Sequence, residues 1–204
     1  MKKFILFYLF VNYNKCGDTM KEIMIITGAS SGMGKEFARQ IEKKYQVDEL
    51  WVIARRKERL ESLKEKLQTK VKIFALDLTQ KESFEIIQEA LFQEKPRVKV
   101  LVNCSGYGKL DHYENMSSET IENMMNLNML AVVKMVNTVL PYMHKESHIV
   151  NLASCSGYMP IPYLNIYAAS KAFVLNYSRA LNEELKYRGI HVLSICPYWV
   201  ETEF

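Results

Sequence analysis

Three side chains near the carboxyl end of the chain have the types and spacing of a proton-transfer site. In the stretch Tyr167-Ala168-Ala169-Ser170-Lys171, the tyrosine and lysine stand four residues apart and share one face of a helix. A tyrosine with its ordinary pKa near 10 is a poor proton carrier at neutral pH, and a neighbouring ammonium lowers that pKa. Ser154, after a predicted strand, can hydrogen-bond a substrate oxygen. We therefore expect an acid–base centre, although such a Tyr–Lys pair also occurs by chance.

A second candidate site is the glycine-rich turn from Thr27 to Gly34, which follows the first predicted strand and opens a helix. Glycines at such a turn allow a tight exit from the strand and close approach of a pyrophosphate. The helix N-terminus offers free N–H groups and a positive dipole to phosphates. The alternative is a plain tight turn. We assign cofactor contacts here to Gly28, Ser30, Ser31, Gly32, Met33 and Gly34.

The end of the second predicted strand bears on the choice of nicotinamide cofactor. An acidic residue there would bind the adenosine ribose, whereas an arginine accommodates a 2′-phosphate. This chain has Ala54-Arg55-Arg56-Lys57 and no acid before Glu58. Arg55 can form a charge-assisted fork with a phosphate. The pattern favours NADP(H), with NAD(H) as the second choice, over a set of solvated surface cations.

Alternating strand-like and helical segments must position these residues. Apolar runs predict strands at 23–26, 50–53, 71–76, 98–102, 148–152 and 190–195, and helical patterns fill 33–45, 56–67, 79–92, 117–143 and 166–187. Thr79 with Glu82 fits a capping box, and Ser117 fits a helix N-cap. Alternation of this kind predicts an α/β protein, a three-layer doubly wound Rossmann fold with a parallel sheet of about six strands.

Composition excludes several other classes of protein. No apolar run approaches the roughly 20 residues of a membrane span, and a net charge of +4 without a dense basic block argues against nucleic-acid binding. The four cysteines and four histidines lack metal-ligand spacing, so we expect no metal. Scattered cysteines are weakly typical of a reducing cytoplasm. We expect a cytoplasmic protein with no membrane or nucleic-acid partner.

The first nineteen residues do not match the pattern that follows. Two lysines precede a short apolar stretch, residues 4–11, without a small-residue cleavage site. We interpret residues 1–19 as a disordered leader or an upstream start-codon artefact. Residues 20–204 then form one cofactor-binding domain.

Taken together, the motifs resemble the short-chain dehydrogenase/reductase family from Glu22 to Thr202. The matching features are the glycine-rich turn, the residues after strands three and four, a polar residue in the long helix, the Ser-Tyr-Lys set and the segment after strand six. In this sequence they are Gly28, Gly32, Gly34, Asp77, Asn103, Gly106, Asn128, Ser154, Tyr167, Lys171 and residues 197–202.

The resemblance implies a role for each matching position. Tyr167 would be the general acid/base, Ser154 would hold the reacting oxygen, and Lys171 would bind the nicotinamide ribose and lower the tyrosine pKa. Asn128 would hold a water in the proton relay, unless it only bends its helix. The other implied cofactor contacts are Asp77 and Leu78 at the adenine, Asn103 and Gly106 near strand four, and Pro197 and Thr202 at the nicotinamide end.

The sequence departs from the family at Cys104, Ser105 and Tyr198, and it stops at Phe204 where family members continue through a substrate-covering segment. We therefore expect an NADP(H)-dependent oxidoreductase that interconverts a carbonyl and an alcohol. The alternatives are a truncated nucleotide-binding domain with little turnover and a non-catalytic scaffold, which the intact Ser-Tyr-Lys set disfavours.

Two further expectations concern partners. In the family the two long helices often pack between subunits, which predicts a homodimer or homotetramer. Met124, Met125, Met129, Met135 and Val136 line either that interface or the face toward the sheet. Residues 158–163 form an apolar rim that hints at a hydrophobic small-molecule substrate.

Overall fold

A computed structural model describes residues 20–200, which are built around one six-stranded parallel sheet. The strand order is β3-β2-β1-β4-β5-β6. From the central strand β1 the chain adds β2 and β3 on one side, then crosses back and adds β4, β5 and β6 on the other side. This is the predicted doubly wound fold. The strands are β1 Glu22–Thr27, β2 Glu49–Ala54, β3 Val71–Ala75, β4 Arg97–Asn103, β5 Met143–Leu152 and β6 His191–Ile195.

Helices cover both faces of the sheet. One core cluster joins the sheet to α3, α5 and α6, and a second joins the opposite face to α1 and α2. The helices are α1 Gly32–Lys44, α2 Lys57–Lys64, α3 Lys81–Glu94, α4 Ser118–Met125, α5 Ala131–Val139 and α6 Asn165–Leu185.

Continuous hydrophobic runs form the central strands because both of their faces are buried. In β1, Ile23 and Ile25 belong to the first core cluster, while Met24 and Ile26 belong to the second. All six residues of β2 are buried. This placement holds the sheet rigidly, and the loops at its carboxyl edge carry the candidate site.

The long helix predicted over residues 117–143 is confirmed as one uninterrupted helical run from Ser118 to Tyr142, but its hydrogen-bonding pattern changes along its length. It divides into α4, a π-helical turn Asn126–Leu130, α5 and a 3₁₀ turn Leu140–Tyr142. Pro141 lies at the start of that last turn and cannot donate a helical hydrogen bond, so the α-helix ends before it. Strand β5 consequently begins at Met143, five residues earlier than predicted.

The two predicted helix caps have different outcomes. Ser117 caps α4, and its hydroxyl accepts a hydrogen bond from the Thr120 N–H at 3.2 Å. The Thr79 capping box does not form, because α3 starts after Gln80. The Thr79 hydroxyl instead donates to Asp77 at 2.8 Å.

The methionines of the helical segment face different surroundings. Met124 and Met135 are fully buried and Val136 is 2% exposed, so these side chains pack in the protein interior and cannot line a subunit interface. Met125 is 42% exposed, and Met129 is half-buried. Met135 and Val136 pack in the core cluster against the sheet, as the second alternative expects.

Candidate functional site

The candidate site lies at the carboxyl edge of the sheet, beside the point where β1 and β4 are neighbours and the direction of winding reverses. Open α/β sheets bind ligands in the crevice at such a switch point. The hydroxyl of Thr27, at the end of β1, accepts hydrogen bonds from the N–H groups of Cys104 at 3.0 Å and Ser105 at 3.1 Å. The exits of the two strands are thereby tied together.

Glycine is required in the turn after β1 for reasons of space and conformation. Gly28 has φ +67°, and a Cβ there would lie 2.8 Å from the backbone of Cys104. A Cβ at Gly34 would lie 2.3 Å from the carbonyl oxygen of Gly28. The turn therefore packs directly against its own helix and against the loop after β4.

The start of α1 combines uncapped amides with an arginine. Ser31 is the N-cap but makes no side-chain capping bond, and the first turn contains no acidic residue. One guanidinium nitrogen of Arg56 donates hydrogen bonds to the hydroxyls of Ser30 at 3.2 Å and Ser31 at 2.9 Å. Helix N–H groups, two hydroxyls and a guanidinium are the donors that a phosphate requires. Sequence reasoning named only Arg55 here, although the basic run 55–57 was the available signal.

The neighbouring Arg55 is exposed and only weakly paired. Its side chain is 66% exposed, and its guanidinium is 3.9 Å from the carboxylate of Asp77, a weak ion pair. Asp77 also accepts hydrogen bonds from the N–H and hydroxyl of Thr79. The neighbouring Leu78 is 5% exposed, and its side chain belongs to the core.

Helix α6 and the loop after β5 bring Ser154, Tyr167 and Lys171 together. Ser154 begins a 3₁₀ turn, Cys155–Tyr158, and its side chain is hydrogen-bonded to Tyr167. The ammonium nitrogen of Lys171 lies 5.5 Å from the centre of the Tyr167 ring. It donates to the carbonyl oxygen of Leu152 at 2.7 Å. Ser154 is 8% exposed and Lys171 only 5%.

The protonation properties of these groups differ from the sequence expectation. Burial raises the pKa of Tyr167, and the hydrogen bond to Ser154 only partly offsets that rise. Burial also lowers the pKa of Lys171 to about 8. The net shift of the Tyr167 pKa is thus opposite to the expected direction, because keeping the phenolate out of water outweighs the hydrogen bond from Ser154. Tyr167 is a protonated phenol at neutral pH.

Asn128 lies in the π-helical turn and is fully buried. Its amide oxygen accepts from the Tyr107 N–H at 3.0 Å, and its amide nitrogen donates to the Tyr107 carbonyl at 2.9 Å and to the Ser170 hydroxyl at 3.1 Å. A Cβ at Gly106 would lie 2.9 Å from the Asn128 oxygen and 3.4 Å from the Lys171 nitrogen. Asn128 thus fixes the loop after β4 beside Lys171.

The remaining predicted residues have mixed placements. The Asn103 side chain is 3% exposed and donates to Asn151 at 2.9 Å, so it joins β4 to β5 rather than facing the crevice. The Pro197 carbonyl accepts from the Cys155 N–H at 3.0 Å, which brings the segment after β6 alongside the Ser154 turn. Thr202 and the predicted leader, residues 1–19, lie outside the described residues.

Residues 158–162 of the predicted apolar rim line a cavity of about 530 Å³ against α6. Its other walls include Ala168, Ala169 and Ala172. Ser154, Tyr167 and Lys171 are not among the lining residues, so this cavity adjoins the proton-transfer site without containing it.

Two kinds of feature, a membrane-spanning helix and a metal-binding cluster, are absent from residues 20–200. No helix in this range is both long enough and apolar enough to cross a bilayer. Nor does the described part of the chain bring together three or more His, Cys, Asp or Glu side chains that could hold a metal ion.

The sheet is doubly wound and has a glycine-rich turn at its switch point, and the loop after β5 and helix α6 bring together a Ser-Tyr-Lys set. These features define a nucleotide-binding α/β protein. The family model of the short chain dehydrogenases matches residues 22–204. The chain belongs to this family.

Individual relatives agree with the family assignment. A very-long-chain 3-oxoacyl-CoA reductase from Bos taurus is 33% identical over 197 residues, which cover 92% of this chain and 62% of the relative. A short-chain dehydrogenase from Sphingobium yanoikuyae, solved in complex with NADPH, superposes with a TM-score of 0.80 at 31% identity, covering 89% of this chain and 73% of the other. A serine dehydrogenase complexed with NADP⁺ gives a TM-score of 0.81 at 31% identity, with 89% and 74% covered. The chain thus spans less than two thirds of that curated relative.

Proposed function

We propose that this protein is an NADP(H)-dependent oxidoreductase that interconverts a carbonyl compound and an alcohol, with Tyr167 as the general acid/base. The observation that carries the proposal is the convergence of Ser154, Tyr167 and Lys171, with Lys171 beside the loop after β4, which itself packs against the glycine-rich turn. Family membership supports a nicotinamide cofactor, since solved relatives are complexed with NADPH or NADP⁺.

The residues present fit such a cofactor. The uncapped start of α1, with Ser30, Ser31 and Arg56, supplies hydrogen-bond donors for a phosphate. Arg55 is exposed and only weakly paired, so it can turn toward the adenosine 2′-phosphate. Planar guanidinium groups bind phosphates through paired hydrogen bonds. The preference for NADP(H) over NAD(H) rests on these two arginines.

Proton transfer follows from the state of Tyr167. Because its pKa is raised by burial, the phenol retains its proton at neutral pH and can donate it to the oxygen of a carbonyl substrate during reduction. Ser154, already hydrogen-bonded to this phenol, holds the same oxygen. When bound, the nicotinamide supplies the hydride for the carbon atom. In the oxidative direction the deprotonated form of Tyr167 takes the alcohol proton.

Lys171 stabilises the deprotonated form that Tyr167 passes through. Its amine donates to the Leu152 carbonyl oxygen and lies 5.5 Å from the centre of the Tyr167 ring. Burial lowers the pKa of Lys171 to about 8, so the ammonium form predominates at pH 7 and is lost above that value. A positive charge at this distance favours the phenolate, and the same ammonium can bind the ribose hydroxyls of the cofactor.

The substrate is proposed to be an apolar carbonyl compound. The rim at 158–163 exposes apolar side chains, including Tyr158 at 57% and Met159 at 61% exposed. The bovine relative's name specifies a very-long-chain 3-oxoacyl thioester, which places long-chain 3-oxoacyl thioesters first among the substrates to test.

Association through the long helices is proposed as well. Met125 and Leu130 are 42% and 45% exposed, and Phe173 on α6 is 36% exposed. These apolar side chains lie on the helical segments predicted to pack between subunits. Light scattering coupled to size exclusion measures the mass, and a monomer at all concentrations would contradict this arrangement.

The decisive experiment measures binding and turnover separately. NADPH and NADH affinities are measured by fluorescence, and NADPH oxidation is followed with ketones, aldehydes and 3-oxoacyl thioesters, with Tyr167→Phe as the control. We expect NADPH binding together with turnover that the control lacks. Binding without turnover on any substrate would favour a nucleotide-binding role, and absence of binding to both cofactors would reject the proposal.

A further inference from the structure

Helix α6 carries two buried serines that are bonded in the same way. Ser170 and Ser178 are 0% and 2% exposed, and each hydroxyl donates to a carbonyl of its own helix while accepting from an asparagine amide. The partner of Ser178 is Asn151 on β5, whose side chain also accepts a hydrogen bond from Asn103 on β4. The partner of Ser170 is Asn128, beside Lys171. The two serines therefore differ in what their asparagine does.

The hydroxyl of Ser170 has only one proton, and its use is fixed. It donates to the Tyr167 carbonyl oxygen at 2.7 Å. An oxygen lone pair is then left to accept from the Asn128 amide nitrogen at 3.1 Å. Ser170 thus connects the backbone of the proposed catalytic tyrosine with the amide group of Asn128.

The hydrogen-bonding capacity of Asn128 is almost fully used. Its two amide protons go to Ser170 and to the Tyr107 carbonyl, and one lone pair of its oxygen accepts from the Tyr107 N–H. Among the residues that the structure describes, this leaves one lone pair on the amide oxygen. The position that a Gly106 Cβ would occupy is within 3.4 Å of both that oxygen and the Lys171 nitrogen. The amide oxygen and the Lys171 amine therefore both border the backbone of Gly106.

We propose that Ser170 is a positioning residue for proton transfer: its hydroxyl holds the Asn128 amide with the carbonyl oxygen on the side of Lys171. The proposal rests on the proposed function for its kinetic consequence. Its structural part, the orientation of a dipole beside an amine, stands on the contacts around Asn128.

Removal of the hydroxyl has a defined local effect. In Ser170→Ala the Asn128 amide loses one of its two acceptors, and a buried N–H without a partner is unfavourable. Rotation or displacement of the amide relieves that cost and moves its oxygen away from Lys171. A partial negative charge near an ammonium stabilises the charged form, so its loss disfavours protonated Lys171. Ser178→Ala removes the same kind of hydrogen bond without touching Asn128.

The kinetic test compares these two variants. We expect Ser170→Ala to lower kcat by about tenfold or more through misplacement of the reacting groups, while NADPH affinity changes little. Ser178→Ala should retain kcat even if its melting temperature falls as far. Ser170→Cys keeps a weaker hydrogen-bonding group and should lie between wild type and Ser170→Ala. Equal losses of kcat in the two alanine variants, or none in either, would reject a positioning role.

A second readout does not depend on turnover. Titration of the Lys171 amine by NMR should give a midpoint of about 8 in the wild type and a lower midpoint in Ser170→Ala, with Ser178→Ala unchanged. A wild-type protein that turns over no substrate would reject the proposed function, yet the NMR titration would still test the placement of Asn128. An unchanged Lys171 midpoint in Ser170→Ala would reject the inference itself.

Discussion

The two edges of the sheet treat their charged side chains differently. At the amino edge, Glu49 is 3% exposed and accepts from Lys21 at 2.5 Å, from Lys70 at 3.1 Å and from the Trp51 indole at 2.8 Å. Glu94 extends this network and pairs with Lys21 and with Lys72, each at 2.5 Å. The charges at this edge are paired with one another.

At the carboxyl edge the charged groups have weaker partners. Arg55 is 3.9 Å from Asp77, and Lys171 is held by a neutral carbonyl oxygen at 2.7 Å. Unlike the amino-edge charges, Lys171 is buried without a close carboxylate among residues 20–200, and burial lowers its pKa to about 8. Paired charges therefore stabilise the amino edge, whereas the carboxyl edge retains cationic donors for an anionic ligand. Variants at the two edges should therefore affect different properties.

The largest effect is expected from Tyr167→Phe at the carboxyl edge. Loss of a positioned general acid/base typically costs about 10²- to 10⁴-fold in rate, so kcat should fall by that order. NADPH affinity should stay nearly unchanged, because the change removes one hydroxyl at the reacting end. Steady-state kinetics and fluorescence titration measure both quantities. A variant with wild-type kcat would show that another group moves the proton.

The second prediction concerns Lys171 and alkaline pH. Its pKa is lower in the folded protein than the ordinary value of 10.5. Between pH 8 and 10.5 the unfolded chain therefore binds more protons at this residue, and the folded state gains stability as pH rises. This contribution is up to about 3 kcal/mol. Urea unfolding across this window should show a steeper rise for wild type than for Lys171→Met. Parallel curves would mean that Lys171 is not effectively desolvated.

How far sequence predicts this site depends on whether a property is local. The fold, the glycine turn and the helix that carries Tyr167 and Lys171 follow from runs of residue types along the chain. The Thr79 capping box failed because α3 begins one residue later than that pattern requires, with Gln80 as its N-cap. The long helical run was predictable from its pattern, but the π-helical turn Asn126–Leu130 within it was not.

Properties that depend on residues far apart in the sequence could not be predicted from it. The raised pKa of Tyr167 comes from burial under the assembled fold, which outweighs the spacing to Lys171. The link from Arg56 to Ser31 joins residues 25 apart, and the hydrogen bond from Asn103 to Asn151 joins residues 48 apart. A single sequence gives the types of such side chains but no partner for them.

The third prediction tests cofactor choice. Arg55→Ala should weaken NADPH binding by about 10- to 100-fold, because a hydrogen bond to a charged group contributes roughly 1.5–3 kcal/mol. NADH affinity should change much less, since NADH lacks the 2′-phosphate. Lys57→Ala, an exposed cation two residues later, is the matched control and should change the ratio of the two affinities little. Equal losses for both cofactors in Arg55→Ala would reject the assignment.

The smallest effect is expected at the amino edge, from Glu49→Gln. Burial acts to raise the pKa of Glu49, but hydrogen bonds from Lys21, Trp51 and Lys70 outweigh it and hold the pKa below its ordinary value. The charged carboxylate therefore stabilises the fold above its ordinary pKa, and that contribution is lost as pH falls through the lowered value. Because its lysine partners are partly exposed, we expect a loss of only about 1 kcal/mol at neutral pH.

Urea unfolding at neutral and acidic pH measures this contribution, and the difference between Glu49→Gln and wild type should shrink in acid. Glu85→Gln is the matched control, because its carboxylate pairs with Lys81 at 3.2 Å on an exposed helix surface and should contribute less. Glu49→Gln should leave NADPH affinity and kcat unchanged, since the network lies at the edge opposite the site. A loss of cofactor affinity in this variant would mean that the two edges are coupled through the sheet, and the separation of stability from ligand binding would fail.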